Sequence, residues 1–192
     1  MTEPLHVGLS AWVIQDGNYG DFARGRKYAF ALELWSPAPL VVRHPEAAST
    51  PVSMTWLHGS TYAVNGRVSF VADRWWVLDA GLPMYCPDHT PALGPVGTPV
   101  RGEICISVDH FAYFESLAHQ EGAPALIHDW CIDAIDLDAA PFIETRPRFL
   151  ERDRSRQSWK SMRHTEAWKD SGGRAEYVLT CSRLAGDPRR KR

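Results

Sequence analysis

Short runs in which apolar and polar residues alternate recur along this chain, and they restrict its fold more than any other feature. Successive side chains of a β-strand point to opposite faces, so a two-residue period predicts strands with one buried face. Lys27–Trp35 shows the pattern most clearly, with Tyr28, Phe30, Leu32 and Leu34 on one face. Four further segments are predicted as strands: His6–Gln15, Glu103–Asp109, Leu126–Leu137 and Ala175–Leu184.

Turn signals separate these runs. Asn65-Gly66 lies between two β-rich stretches, and an Asn-Gly pair accepts the positive φ angles of a tight hairpin, so we predict a hairpin there. A second, final hairpin is predicted to pair Gln157–Trp168 with Ala175–Leu184. Proline and glycine are concentrated in residues 87–99, which favours either a long irregular connection or an internal boundary there.

These segments predict an all-β or β-rich fold, a barrel or sandwich of about 8–10 strands. Ala112–Gln120 is the only short helix expected, and a weak similarity between Leu9–Phe22 and Glu103–Glu115 leaves open a fold of two similar β-halves. Because 192 residues fit one domain, we expect a single globular domain over residues 1–185, followed by a flexible basic tail over residues 186–192.

Charge is unevenly distributed along the chain. Residues 1–145 contain 7 Lys and Arg against 17 Asp and Glu, whereas residues 146–192 contain 14 against 6, although the net charge is only −2. The basic segment either pairs with the acidic body, within the fold or across an oligomer, or faces an acidic partner such as nucleic acid.

Aromatic and basic residues provide the candidate binding sites. The chain has eight tryptophans, which stack on sugars, bases or other rings, or fill a core. Adjacent Trp75 and Trp76 cannot both point inward on a regular strand, so one is expected to face solvent, a partner or a covering loop. In the basic segment the candidate residues are Arg154, Arg156, Trp159, Lys160, Arg163 and Trp168.

Interleaved cations and aromatic rings suit single-stranded nucleic acid on a β-barrel. Four acidic residues interrupt the basic segment and would repel phosphates, which favours pairing with the acidic body instead: Glu151, Asp153, Glu166 and Asp170.

Patterns typical of metal centres and enzymes are weak. The four aspartates at positions 129, 133, 136 and 138 fit no EF-hand spacing, and Cys86-Pro87-Asp88-His89 supplies at most half of a zinc site. The motifs G-x-S-x-G, G-x-x-x-x-G-K-[ST], G-x-G-x-x-G and H-E-x-x-H do not occur. We therefore expect no metal, no cofactor and no catalytic residue.

The four cysteines are widely spaced, and the N-terminal residues resemble neither a signal peptide nor a membrane span. These features predict a cytoplasmic protein with free thiols that does not associate with membranes.

The leading functional hypothesis is a non-enzymatic binding or interaction module that assembles with itself or with another protein. The first alternative is a single-stranded nucleic-acid-binding barrel that uses residues 146–169. The second is a small-molecule-binding barrel or enzyme, in which His110, Asp109 or Glu103 accompanies a pocket lined by tryptophan.

Overall fold

The computed structural model describes residues 3–42, 51–87 and 93–191. Strands account for 49% of the structure and helices for 10%, which confirms the predicted strand-rich fold. The strands are β1 (Leu5–Ser10), β2 (Lys27–Phe30), β3 (Leu32–Trp35), β4 (Val41–Val42), β5 (Ser53–His58), β6 (Thr61–Val71), β7 (Trp76–Asp79), β8 (Pro83–Cys86), β9 (Pro99–Val108), β10 (His128–Asp138), β11 (Phe142–Arg146), β12 (Phe149–Arg152), β13 (Trp159–Met162) and β14 (Glu176–Arg183). Within these described ranges there are two short α-helices, α1 (Ala11–Gln15) and α2 (Ala112–Glu115).

Five strands close into a barrel. Strand β9 pairs with β3 on one edge and with β6 on the other, and β8 and β7 complete the ring between them. Leu34, Val64, Leu78, Met84 and Ile104 belong to the hydrophobic core, each at most 2% exposed. Of the two predicted architectures, the barrel is therefore the one observed.

Further strands extend the sheet from β9. Strand β1 lies parallel to β9, with Gly8 opposite Ser107, and is followed by β14, β10 and β13. Strand β14 uses one edge for β1 and the other for β10, where Leu179 lies opposite Ile135. The predicted final hairpin is therefore wrong. Both edges of β14 are occupied, and β13 pairs with β10 instead.

The predicted hairpin at Asn65-Gly66 is also wrong, because β6 runs straight through this pair. The turn lies at Gly59-Ser60, between β5 and β6, and Gly59 adopts a φ of +51°. Gly66 serves a different purpose. A Cβ atom there would lie 2.8 Å from both the carbonyl oxygen of Asp79 and Cδ1 of Leu78, so only glycine lets β7 approach β6 this closely.

Two predicted strands are interrupted. The first ends at Ser10, and α1 follows with Ala11, Val13 and Ile14 buried and Trp12 exposed. The second divides after Phe30, since β2 pairs with β10 whereas β3 pairs with β9. Within the described residues, no helix combines the length and the hydropathy needed to cross a lipid bilayer.

Trp75 and Trp76 are directed into different cores. Trp76 belongs to the main core, whereas Trp75 packs in a second cluster with Tyr85, Tyr113 and Leu126. Residues 112–127 cover this second cluster, and the indole Nε1 of Trp75 donates a 2.9 Å hydrogen bond to Gln120 Oε1. The outward ring is thus buried by the chain's own loop, and neither indole is accessible to a partner.

Candidate ligand-binding cleft

One face of the extended sheet forms the floor of a cleft. Across β14, β1 and β9, Val178 lies opposite Gly8, which lies opposite Ser107. Ser10 and Glu176 form the next cross-strand pair on the same face. Because side chains alternate along a strand, these strands bury apolar residues on their other face and, apart from Val178, present small or polar ones to the cleft.

Two walls enclose a volume of about 830 Å³ above this floor. One wall includes the β11–β12 hairpin, which we call the flap (residues 142–152), and the other is formed by the Gly59-Ser60 turn and Trp35. Trp159 on β13 lines the cleft on the flap side. From β13 to β3 the sheet crosses five strand spacings, which corresponds to roughly 24 Å measured along the sheet.

The flap end of the cleft is rich in arginine. Arg152 and Arg174 both lie over the ring of Phe142, with Cζ-to-centroid distances of 4.1 and 5.0 Å. Arg152 donates to the Ala140 carbonyl at 2.6 Å and to Ser171 Oγ at 2.9 Å, whereas its buried Nε has no partner among the described residues. Neither guanidinium forms an ion pair with a described carboxylate. Two cations with unused donors suit an anionic group.

Two carboxylates share this end of the cleft. Glu176 accepts a 2.6 Å hydrogen bond from Ser10 Oγ. Desolvation raises the pKa of Glu176, against the opposing effects of this hydrogen bond and of the charges of Arg152 and Arg154. Asp138 is almost fully buried and pairs with Arg154, with Nη1 and Oδ2 3.2 Å apart. Protonation of Glu176 therefore removes a negative charge that acts on the arginines.

Imidazole and hydroxyl groups characterise the other end. The side chain of His110 is 29% exposed, packs edge-on against Trp12 and places Nδ1 3.4 Å from Glu33 Oε1. Ser107 Oγ is buried without a hydrogen-bond partner in the described part of the chain. Cys105 also lines this end, but burial raises the pKa of its thiol, so the thiolate needed for nucleophilic chemistry is disfavoured.

The cleft brings together two of the eight predicted binding residues. Trp159, 43% exposed, and Arg154 line it. Trp168 is 72% exposed but lies outside the cleft, as do the exposed side chains of Arg156, Lys160 and Arg163. The other two, the adjacent tryptophans of residues 75 and 76, are buried as described above.

The three polar residues predicted near a tryptophan-lined pocket lie in different environments. His110 lines the cleft, Asp109 is fully buried next to it in the chain, and Glu103 is exposed on β9 outside the cleft. Glu33 was not singled out from the sequence. The sequence signal for Glu33 is a carboxylate between apolar neighbours in a strand expected to be buried, because a buried carboxylate requires a polar partner inside the protein.

Other residues of the cleft carry no local signal. Arg174 and Arg152 are brought together because both pack over the ring of Phe142. Ser10 and Glu176 are neighbours because β1 pairs with β14. These contacts depend on strand pairing between distant parts of the chain.

The candidate metal motifs do not form a site in the described part of the chain. Asp129 forms a bidentate ion pair with Arg189, at 2.7 and 2.8 Å, and Asp133 accepts a 2.5 Å hydrogen bond from a serine of β14. No group of three or more His, Cys, Asp or Glu side chains there is arranged to hold a metal ion. Asp88 and His89 of the half zinc motif lie outside the described residues.

Comparison of the chain with protein-family models, with curated proteins and with solved structures gives no match. Function is therefore inferred from the chemistry of the cleft.

Proposed function

We propose that this protein is a small-molecule-binding barrel whose cleft takes an anionic ligand that carries hydroxyl groups and a ring able to stack on an aromatic side chain. The observation that carries the proposal is the pair of guanidiniums of Arg152 and Arg174, stacked on one ring without carboxylate partners. Trp159 supplies a flat apolar surface, while Ser10 and Ser107 supply hydroxyl groups. Sugar phosphates and nucleoside phosphates share the required chemistry.

A nucleic-acid polymer fits the cleft less well. Its successive phosphates would meet Glu151 and Glu176, which also line the cleft, whereas a single anionic group needs only the arginine end. The exposed cations Arg156 and Arg163 lie outside the cleft and do not extend its positive surface. Single-stranded nucleic acid therefore remains the alternative.

Isothermal titration calorimetry with adenosine monophosphate, glucose 6-phosphate, inorganic phosphate and glucose tests the proposal. We expect a phosphorylated organic ligand to bind more tightly than inorganic phosphate or glucose, because its phosphate can contact the arginines while its ring and hydroxyl groups contact neighbouring side chains of the cleft. Arg174→Ala should weaken this binding about tenfold or more, since a hydrogen bond to a charged group contributes about 1.5–3 kcal/mol.

Arg163→Ala removes another exposed cation, one that lies outside the cleft, and is the matched control. Equal effects of the two substitutions would contradict the proposal, and so would failure of every phosphorylated probe to bind. Tight binding of a single-stranded oligonucleotide, with a steep dependence on salt, would favour the alternative.

The pH dependence of binding provides a second test. Protonation of Glu176 removes a negative charge near the arginines, so anion affinity should rise as the pH falls through its raised pKa. Glu176→Gln should bind the ligand more tightly than the wild type at pH 7 and should lose this part of the pH dependence. Comparing both proteins with the same ligand cancels the ligand's own titration. Glu103→Gln, outside the cleft, should follow the wild-type profile.

A further inference from the structure

Three buried ionisable groups lie in a row behind the hydroxyl-rich end of the cleft. Tyr85 on β8 places its hydroxyl 2.7 Å from Glu33 Oε2, and the same hydroxyl is hydrogen-bonded to Asp109 Oδ1. The exposed fractions of Tyr85, Glu33 and Asp109 are 0%, 8% and 0%. Their arrangement is therefore set by the protein interior and not by bulk water.

Two carboxyl groups around one hydroxyl require a shared extra proton. A phenol has a single proton and can donate to only one of them, so the other contact is a hydrogen bond only if that carboxyl group is itself protonated. Burial raises the pKa of Asp109, and burial together with the two carboxyl groups raises the pKa of Tyr85. Asp109 also accepts the backbone N–H groups of Tyr113 and Phe114, at 3.1 and 3.4 Å, which favour its ionised form, but burial outweighs them and raises its pKa overall. We therefore assign the extra proton to Asp109, so that hydrogen bonds run from Asp109 to Tyr85 and from Tyr85 to the Glu33 carboxylate.

The Glu33 carboxylate then acts on His110. Its Oε2 accepts the backbone N–H of His110 at 3.3 Å, and its Oε1 lies 3.4 Å from the ring Nδ1. A carboxylate beside Nδ1 selects the tautomer that carries its proton there, and leaves Nε2 as an acceptor on the other side of the ring. His110 is partly exposed and lines the cleft, so the end of the proton chain reaches the proposed ligand site.

Ser107 provides an independent observation at the same place. Its Oγ is buried and unpartnered in the described part of the chain, although Ser107 lies directly opposite Glu33 in the sheet and lines the cleft with His110. A buried hydroxyl without a partner is costly, and a ligand hydroxyl would satisfy it.

We propose that Nε2 of His110 accepts a hydrogen bond from a hydroxyl group of the ligand, and that Asp109, Tyr85 and Glu33 position His110 by fixing its tautomer. The inference rests on the ligand cleft proposed above and adds the position of one ligand hydroxyl, next to Ser107. Glu33, Tyr85 and Asp109 are positioning residues, since none of them needs to touch the ligand.

The tautomer can be measured without any ligand. Long-range ¹H–¹⁵N NMR spectra of the imidazole at pH 8 should show His110 as the Nδ1–H form in the wild type. Glu33→Gln replaces the carboxylate by an amide that also donates, so the Nε2–H form should become populated. Glu103→Gln is the matched control, and the ring of His58, which lines the same cleft, serves as an internal reference.

Tyr85→Phe keeps the ring and removes the bridging hydroxyl, so it replaces Glu33→Gln if that variant does not fold. Without the Tyr85 hydroxyl, Glu33 loses the hydrogen bond that orients its carboxylate toward His110, so a mixed tautomer state should appear in this variant too. A wild-type His110 in the Nε2–H form, or a wild-type tautomer retained in both folded variants, would overturn the positioning role.

Ligand affinity separates this inference from the proposed function. His110→Phe keeps a ring but loses the acceptor, and should weaken binding of the best phosphorylated probe about tenfold. Binding unchanged in His110→Phe but lost in Arg174→Ala would leave the cleft in place and refute the His110 contact. If no probe binds the wild type, the proposed function fails and the ligand contact with it, while the tautomer measurement still decides the positioning role.

Discussion

At the scale of single residues, Gly66 shows how one missing Cβ atom determines the path of a strand. We expect Gly66→Ala to lower the free energy of unfolding by about 1–3 kcal/mol, because the new methyl group would overlap the backbone of Asp79 and the side chain of Leu78. Urea denaturation measures the change.

Gly20→Ala is the matched control for this substitution. A Cβ atom at Gly20 would meet nothing within 4 Å, so this alanine should change the free energy of unfolding by no more than about 0.5 kcal/mol. Equal losses in the two variants would mean that the approach of β7 to β6 does not depend on glycine.

At the scale of elements, the start of β7 contributes to two hydrophobic cores, because the adjacent side chains of Trp75 and Trp76 point to opposite faces of the sheet. Trp75→Ala should cost about 3–5 kcal/mol of folding free energy, because it empties a site beneath residues 112–127 and leaves Gln120 without its donor. Trp168→Ala, at a position 72% exposed, should cost less than about 0.5 kcal/mol. Chemical denaturation followed by circular dichroism distinguishes them, and a Trp75→Ala protein as stable as Trp168→Ala would refute the second core.

The same scale shows what the sequence reveals and what it hides. Strands β9, β10 and β14 could be located because alternation and β-branched residues are local signals. Their pairing partners could not be located from the sequence, because residues that are distant along the chain decide which strands become neighbours. Strand β10, for example, lies between β13 and β14. The Asn65-Gly66 pair carries a genuine turn signal, which the close packing of β7 overrides.

The residues of the candidate site also divide into those that the sequence indicates and those that only the folded structure brings together. Trp159 and Arg154 were found because an aromatic residue among cations is visible in the sequence. Arg174 and Ser10 were not, because only the folded sheet brings them to the same cleft.

At the scale of the whole molecule, the two oppositely charged parts of the chain are in contact. Arg154 pairs with Asp138 and Arg189 with Asp129, so the basic segment and the following basic tail each form an ion pair with the acidic body. Arg156, Lys160 and Arg163 form no ion pair with a described carboxylate. Assembly with a partner and a cytoplasmic location stay predictions.

Global stability should depend on pH through Asp109. Its folded pKa is raised above the ordinary 3.8, so the folded state holds the proton more tightly than the unfolded chain. The resulting stabilisation is complete below that ordinary value and is lost as the pH rises through the raised pKa. The wild type should therefore lose free energy of unfolding relative to Asp109→Asn over this window.

Urea unfolding of both proteins between pH 3 and pH 8 measures the difference between their free energies of unfolding. The other titrating groups are common to both proteins, so their contributions cancel in this difference. Glu103→Gln should show no comparable change relative to the wild type. A difference between the wild type and Asp109→Asn that stays constant over the whole range would show that Asp109 does not hold a proton in the folded state.

The pairing of β1 with β14 also has a consequence for the nascent chain during translation. Leu5 lies opposite Cys181, so β1 can pair with its antiparallel neighbour only after translation has covered all the residues between them. At roughly 5–20 residues per second, translation takes about 10–35 s to cover that interval. During this time β1 lacks its antiparallel partner, so we expect Leu5, Val7 and Leu9, which are buried in the folded protein, to be exposed on the nascent chain and to favour chaperone binding.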